Sequence, residues 1–154
     1  MRHGPAEDYA SSGRDFDRAL TPSGRDRVRA VAKKLREMDE APKVVVSSPL
    51  VRAQQTADIV ARELGLHGME TERDLAPGGD NIGFVRKAAS HGRRRVMIVG
   101  HEPDLSELVA SLVGTFPHDM LKAMVVGLRI DGNKHGELRF VLDPKTLEIA
   151  APLL

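Results

Sequence analysis

The chain has 154 residues, of which 41% are hydrophobic and 29% are charged, and its 23 Lys and Arg nearly balance its 22 Asp and Glu. This ordinary globular mixture predicts one domain over residues 1–154 and gives no reason to expect nucleic-acid binding, which usually needs a clear basic excess. Because the sequence has no cysteine, no membrane-length apolar run and no apolar signal-peptide region, disulfides and thiol nucleophiles are excluded and a cytoplasmic location is expected, with no membrane association.

The first half of the chain predicts a loop, two helices and one strand. Segment Pro5–Arg18 has no apolar period and predicts a surface loop. A helix is expected from Thr21 to Met38, because Thr followed by Pro is typical of a helix start and apolar residues then recur at helical spacing. The β-branched run at 43–47 predicts a buried strand, and a second helix is expected to follow and to end at Gly65.

The second half continues the alternation and ends in a hairpin. The expected elements are a weak strand at 69–72, a loop at 75–83, a helix from Asp80 or Asn81 to Gly92, a strand at 96–99, a helix from Leu105 to Gly114, and two hairpin strands at 123–130 and 138–142 around an Asp131-Gly132-Asn133 turn. This order predicts a three-layer α/β/α sandwich with a mostly parallel central sheet.

Two histidines and two arginines stand where such a sheet places its functional groups. His101 follows the strand at 96–99, Arg52 is near the start of the helix after the strand at 43–47, and Arg2 adjoins His3. Arginine pairs suit phosphoryl oxygens, a neutral imidazole can attack phosphorus, and a second, protonated imidazole can stabilise the developing negative charge. Neither a metal nor another cofactor is required by this set.

Each residue alone also has a plainer explanation. A histidine after a strand is often only a hydrogen-bonded turn residue, and Arg52 alone would more often be a surface charge. A metal site at His3 and His101 is disfavoured, because no third ligand stands at a recognisable spacing. The functional interpretation therefore depends on the combination.

Longer motifs around these residues resemble the histidine phosphatase superfamily. They are Arg2-His3-Gly4, Leu20-Thr21-Pro22-Ser23-Gly24, the segment from Ser47 to Ala57, and Val99-Gly100-His101-Glu102-Pro103. Within that superfamily the chain is most similar to the small SixA-type phosphohistidine phosphatases. The resemblance implies that His3 is a transiently phosphorylated nucleophile, that Arg2 and Arg52 bind phosphoryl oxygens, and that His101 completes the pocket.

The expected activity is hydrolysis of a phosphoryl group from a protein histidine, with a phosphorylated histidine-containing protein as the partner. Short loops leave the expected site open, which favours a protein-borne phosphoryl group. Two alternatives remain open: a sugar phosphate monoesterase of the same superfamily, and a catalytically weak module that binds phosphoproteins.

Two features depart from the family pattern. A buried strand normally leads into the Arg-His-Gly motif, whereas here only Met1 precedes it, so the first strand is expected to be missing or truncated. An upstream extension that supplies a strand is expected to raise stability and activity. No general acid stands out; the candidates by location are Glu7, Asp74, Asp80 and Glu102. A P–N substrate fits this absence, because an imidazole leaving group needs less proton assistance than an alkoxide.

Overall fold

The computed structural model describes residues 1–116, 119–132 and 135–150, and it confirms the predicted α/β fold. Its α-helices span Pro22–Glu37 (α1), Val51–Glu63 (α2), Asn81–Ser90 (α3) and Asp104–Val113 (α4), with short 3-10 helices at Asp15–Asp17 and Arg73–Leu75. Its strands span Val44–Ser47 (β1), Glu70–Thr71 (β2), Val96–Val99 (β3), Val125–Ile130 (β4), Gly136–Leu142 (β5) and Ile149–Ala150 (β6).

The helix boundaries follow the capping signals of the sequence. The Thr21 hydroxyl accepts the Gly24 amide and Pro22 takes the first helical position of α1, as predicted. Asp80, one of the two predicted caps, accepts the Gly83 amide at the start of α3. Gly114, with φ of +92°, ends α4 in the left-handed region that glycine adopts without strain.

The strands form a parallel sheet and an antiparallel sheet. The parallel sheet has the order β2-β1-β3, and the antiparallel sheet has the order β4-β5-β6. The predicted hairpin is confirmed as β4 and β5, while the Asn133 of its predicted turn lies outside the described residues. Strand β6 was not predicted, because a two-residue strand leaves no periodic signal.

The first residues of the chain join the two sheets. The Met1 amino group donates to the Ile98 carbonyl at 2.9 Å, and the His3 amide donates to the Gly100 carbonyl at 3.1 Å. On the other side, the Arg2 amide donates to the Met124 carbonyl at 3.0 Å. Residues 1–3 therefore run parallel to β3 and occupy a strand position between β3 and β4.

A cavity of about 670 Å³ lies in line with residues 1–3, on the side where the chain begins. Strands β3 and β4 line it from opposite sides, and α3 and the Phe140 ring of β5 also contribute.

Helices cover both faces of the sheets, which gives the three predicted layers. Helices α1 and α2 pack together on one face, where Val45, Met97 and Val99 join their apolar side chains. Helices α3 and α4 lie on the other face, against Ile98 and Val126. Side chains that alternate along β3 thus enter different core layers. No helix in the described part of the chain combines the length and apolarity needed to cross a bilayer.

Candidate active site

The structure brings all four predicted site residues together. Arg52, in the first turn of α2, donates from Nε to His3 Nε2 at 3.3 Å. The ring centroids of His3 and His101 are 5.4 Å apart. Arg2 lies close enough for its positive charge to act to lower the pKa of both imidazoles and of Arg52. The convergence expected from their positions after β1 and β3 is therefore present.

His3 is held as a neutral ring in which Nε2 carries no proton. Its Nδ1 lies 2.7 Å from the Gly4 carbonyl, which can only accept, so Nδ1 carries the proton and Nε2 keeps a lone pair. Burial lowers the pKa of His3 to about 3; the Gly4 contact acts in the opposite direction, and the charge of Arg52 lowers the pKa further. Near pH 7 Nε2 therefore stays unprotonated, and its lone pair accepts the hydrogen bond from Arg52 Nε until phosphorus takes that place.

His101 is also neutral, which corrects the expectation of a protonated second imidazole. Burial, followed by the charge of Arg52, lowers the pKa of His101 to about 4. Its Nε2 lies 2.7 Å from the Ser48 hydroxyl, whose oxygen already accepts the Leu50 amide at 3.2 Å. The Ser48 hydroxyl can donate its proton to Nε2, and in that tautomer Nδ1 carries the ring proton.

Two buried nitrogen atoms of the site have no hydrogen-bond partner among the described residues: Arg2 Nε and His101 Nδ1. Arg2 is anchored elsewhere, since its Nη1 donates to the Met120 carbonyl at 2.7 Å. Burial lowers the pKa of Arg2, while the negative charge of Glu102 acts to raise it. Buried donors rarely stay unpaired, so both nitrogens are suited to an anionic oxygen that enters the pocket.

Asp15 joins the site although the sequence analysis did not single it out. Arg52 Nη1 donates to the Asp15 carbonyl at 3.0 Å, and Nη2 donates to its carboxylate at 3.2 Å. Arg18 Nε donates to the other carboxylate oxygen at 2.9 Å. Burial acts to raise the pKa of Asp15, but these two arginines outweigh it and hold the pKa below its usual range. An acidic residue in a loop without periodicity gives no sequence signal of this contact.

Residues of the recognised motifs hold the Arg-His-Gly segment in place. The Gly4 amide donates to the Thr56 hydroxyl at 2.9 Å, and that hydroxyl donates to the Arg52 carbonyl at 2.8 Å. Gly24 lies against the backbone after Gly4, where a Cβ atom would come within 2.1 Å of the Pro5 carbonyl oxygen. Glycine is therefore required in α1 for its close approach to the site loop.

The four acids proposed by location differ in their surroundings. Glu102 accepts the Ser106 hydroxyl and the Met120 amide, and Asp80 caps α3, so both carboxylates have structural partners. Glu7 and Asp74 are exposed. Within the described ranges, no group of three or more metal-ligating side chains could hold a metal ion.

Comparison with known proteins agrees with this geometry. The family model of the histidine phosphatase superfamily (branch 1) matches residues 1–76. The chain is 31% identical to the phosphohistidine phosphatase SixA of Escherichia coli strain K12, over 97% of this chain and 95% of that protein. The chain belongs to the histidine phosphatase superfamily. This superfamily member is also 34% identical to a 2,3-bisphosphoglycerate-dependent phosphoglycerate mutase of Nitrobacter hamburgensis, over 84% of this chain and 69% of that protein.

A solved structure extends the comparison to three dimensions. The protein histidine phosphatase SixA complexed with tungstate superposes with a TM-score of 0.86 at 29% identity, covering 96% of this chain and 97% of that one. The SixA relatives by sequence and structure identify this histidine phosphatase superfamily member as a phosphatase.

Proposed function

We propose that this phosphatase hydrolyses the phosphoryl group of a protein phosphohistidine through a phosphohistidine intermediate on His3, without a metal ion. The observation that carries the proposal is the state of His3 Nε2, which is unprotonated and 3.3 Å from Arg52 Nε. The positive charge that a phosphoryl group requires comes from Arg2 and Arg52. The relation to proteins named phosphohistidine phosphatase SixA supports the substrate class.

In the first step, the Nε2 lone pair of His3 attacks phosphorus. The Nε2–P bond forms as the P–N bond to the substrate imidazole breaks, and the bonding electron pair goes to the departing nitrogen. A substrate ring that carries a proton on its other nitrogen leaves as a neutral imidazole, so the step needs no carboxylic acid. The proton on His3 Nδ1 stays in place, and the Gly4 carbonyl stabilises the positive charge that develops on the ring.

In the second step, water attacks the phosphorus of phosphorylated His3. The O–P bond forms, the Nε2–P bond breaks, and Nε2 regains its lone pair. Both water protons stay on the product, which leaves as dihydrogen phosphate, so each step balances without a separate acid or base. The partnerless Arg2 Nε and His101 Nδ1 would donate to the phosphoryl oxygens in both steps. A bound dianion would also raise the pKa of His101, which strengthens that donor.

His3→Ala tests the proposal. With a phosphohistidine protein as substrate, the variant is expected to lose turnover by about 10³-fold or more and to form no acid-labile phosphoenzyme. The control is His67→Ala, because His67 is an exposed histidine outside the site. An unchanged rate in His3→Ala would contradict the mechanism. A wild-type preference for sugar phosphates would support the monoesterase alternative, and tight binding without turnover would support a binding module.

A further inference from the structure

Two exposed apolar side chains belong to segments that contact the arginines of the phosphate pocket. The sequence contains only one Tyr and four Phe. Among the described residues, the large hydrophobic side chains that stand exposed are Tyr9 (87%), Phe16 (45%), Leu121 (38%) and Ile149 (45%). Isolated exposed apolar residues need no explanation, but a group around a functional pocket does.

Phe16 marks the Arg52 side of the pocket. It is the middle residue of the 3-10 helix Asp15–Asp17, which packs against α2. Its neighbour Asp15 contacts both Nη atoms of Arg52 at 3.0 and 3.2 Å.

Leu121 marks the opposite, Arg2 side. The carbonyl of its neighbour Met120 accepts Arg2 Nη1 at 2.7 Å, while the Leu121 carbonyl accepts the Met124 amide at 2.9 Å. The backbone of Leu121 is thus fixed by the turn that leads into β4, next to the residue that holds Arg2, and its side chain is exposed rather than in the core.

We infer that Phe16 and Leu121 form a docking rim for the protein that carries the phosphohistidine. This inference rests on the proposed function and adds the kind of partner surface that the site fits. The partner is a folded protein that presents its phosphohistidine among apolar side chains.

The burial of the nucleophile His3 supports a protein as the partner that covers the rim. His3 is only 5% exposed, so a phosphoryl group attached to a protein reaches Nε2 only when the surface around the substrate histidine lies against the rim. Covering Phe16 and Leu121 removes apolar surface from water, which stabilises such a complex. A small phosphate ester or phosphoramidate fills the pocket without covering the rim, so the rim favours protein substrates selectively.

The test compares Phe16→Ser and Leu121→Ser with Ile149→Ser. Ile149 has the same 45% exposure as Phe16, but it lies on β6, the edge strand of the other sheet. For each variant, kcat/KM is measured with a phosphohistidine protein and with phosphoramidate, a small P–N substrate. The ratio of protein to small-substrate kcat/KM is expected to fall about tenfold in each rim variant, mainly through KM, and to stay unchanged in Ile149→Ser.

Two results would contradict the docking rim and leave the proposed function unaffected. An unchanged ratio in both rim variants would show that the substrate protein does not touch these side chains. An equal loss with both substrates would show a structural role instead, which thermal melts of the variants would register as well. Wild-type protein that hydrolyses phosphoramidate but no phosphohistidine protein would overturn the proposed function and the rim together, and this outcome is distinct from the other two.

Discussion

The two ends of residues 1–3 differ in almost every physical respect. At the His3 end lies a polar pocket with two buried nitrogen atoms that lack partners in the described structure. At the Met1 end lies a cavity of about 670 Å³ between β3 and β4, lined largely by apolar side chains. One short extended segment therefore has the candidate active site at one end and the cavity at the other.

This difference shows that cavity size does not identify the site. The pocket at His3 is defined by donors that lack acceptors and by a nucleophile with a fixed tautomer, which are features of function. The space at Met1 is lined by charged as well as apolar side chains, among them Arg93, Arg129 and Arg139, but by neither the partnerless nitrogen atoms nor the site histidines. The cavity affects packing rather than chemistry. Side chains beside it have room to shift, whereas those beside His3 do not.

The largest expected effect comes from adding one methyl group at the crowded end. In Gly24→Ala, the new Cβ would come within 2.1 Å of the Pro5 carbonyl oxygen, which is backbone and cannot rotate away. The usual gain of about 1 kcal/mol for Ala over Gly in a helix should therefore be outweighed. We expect a net loss of about 2 kcal/mol in the free energy of unfolding, measured by denaturant titration. Displacement of the site loop should also reduce turnover by about 10²-fold.

Gly127→Ala is the matched control at the loose end. Its Cβ would come within 2.2 Å of the Phe140 ring, a shorter approach than most cores tolerate. Because Phe140 lines the cavity, the ring can shift into open space, and the expected loss is about 1 kcal/mol with turnover retained. Equal losses of stability and turnover in the two variants would show that the ends do not differ in this way.

The second prediction fills the cavity. Six residues of alternating Val and Thr joined to Met1 would continue residues 1–3 between β3 and β4, parallel to the first and antiparallel to the second. Burying two large apolar side chains contributes roughly 3–6 kcal/mol before the cost of ordering the strand. We expect the midpoint of thermal unfolding to rise by about 5 °C and turnover to increase.

A six-residue Gly-Ser extension is the control for added length. It can reach the same place but has no apolar side chains to bury and loses more backbone freedom on ordering. Identical melting temperatures for the two extensions would show that the cavity does not accept a strand. The expectation that an upstream strand increases stability and activity stays a prediction until this measurement.

The sequence predicted the elements and the four site side chains because their signals are local. Thr21 and Asp80 act as caps within their own segments, and His101 follows a strand by one residue. The pairing of Arg52 with Asp15 was not predicted, because Asp15 lies in a loop without periodicity and follows no predicted strand. The protonation of His101 was wrong for a similar reason, since burial by the whole fold sets its pKa. Local patterns report neither tertiary contacts nor desolvation.

The smallest expected effect is on the pH dependence of the free energy of unfolding. Each end of residues 1–3 buries an amine or imidazole in its neutral form, and the two ends should respond in different pH ranges. At the Met1 end, burial lowers the pKa of the amino group from 8.0 to about 5, against the raising effect of Glu102. At the other end, burial is the first cause that lowers the pKa of His3 to about 3 and of His101 to about 4, from 6.5. In each case the unfolded chain binds a proton at a higher pH than the folded protein does.

The sign follows directly from this order. Stability is complete above the unfolded pKa and is lost as pH falls toward the folded value, so the Met1 end acts between pH 8 and about 5 and the imidazoles between pH 6.5 and about 3. Acetylation of the Met1 amine should flatten the stability profile in the first window, and His101→Asn should flatten it in the second by up to one proton per molecule. Denaturant titrations at several pH values measure both. A His101→Asn profile parallel to wild type from pH 6.5 to 4 would show that this ring is not held neutral by the fold.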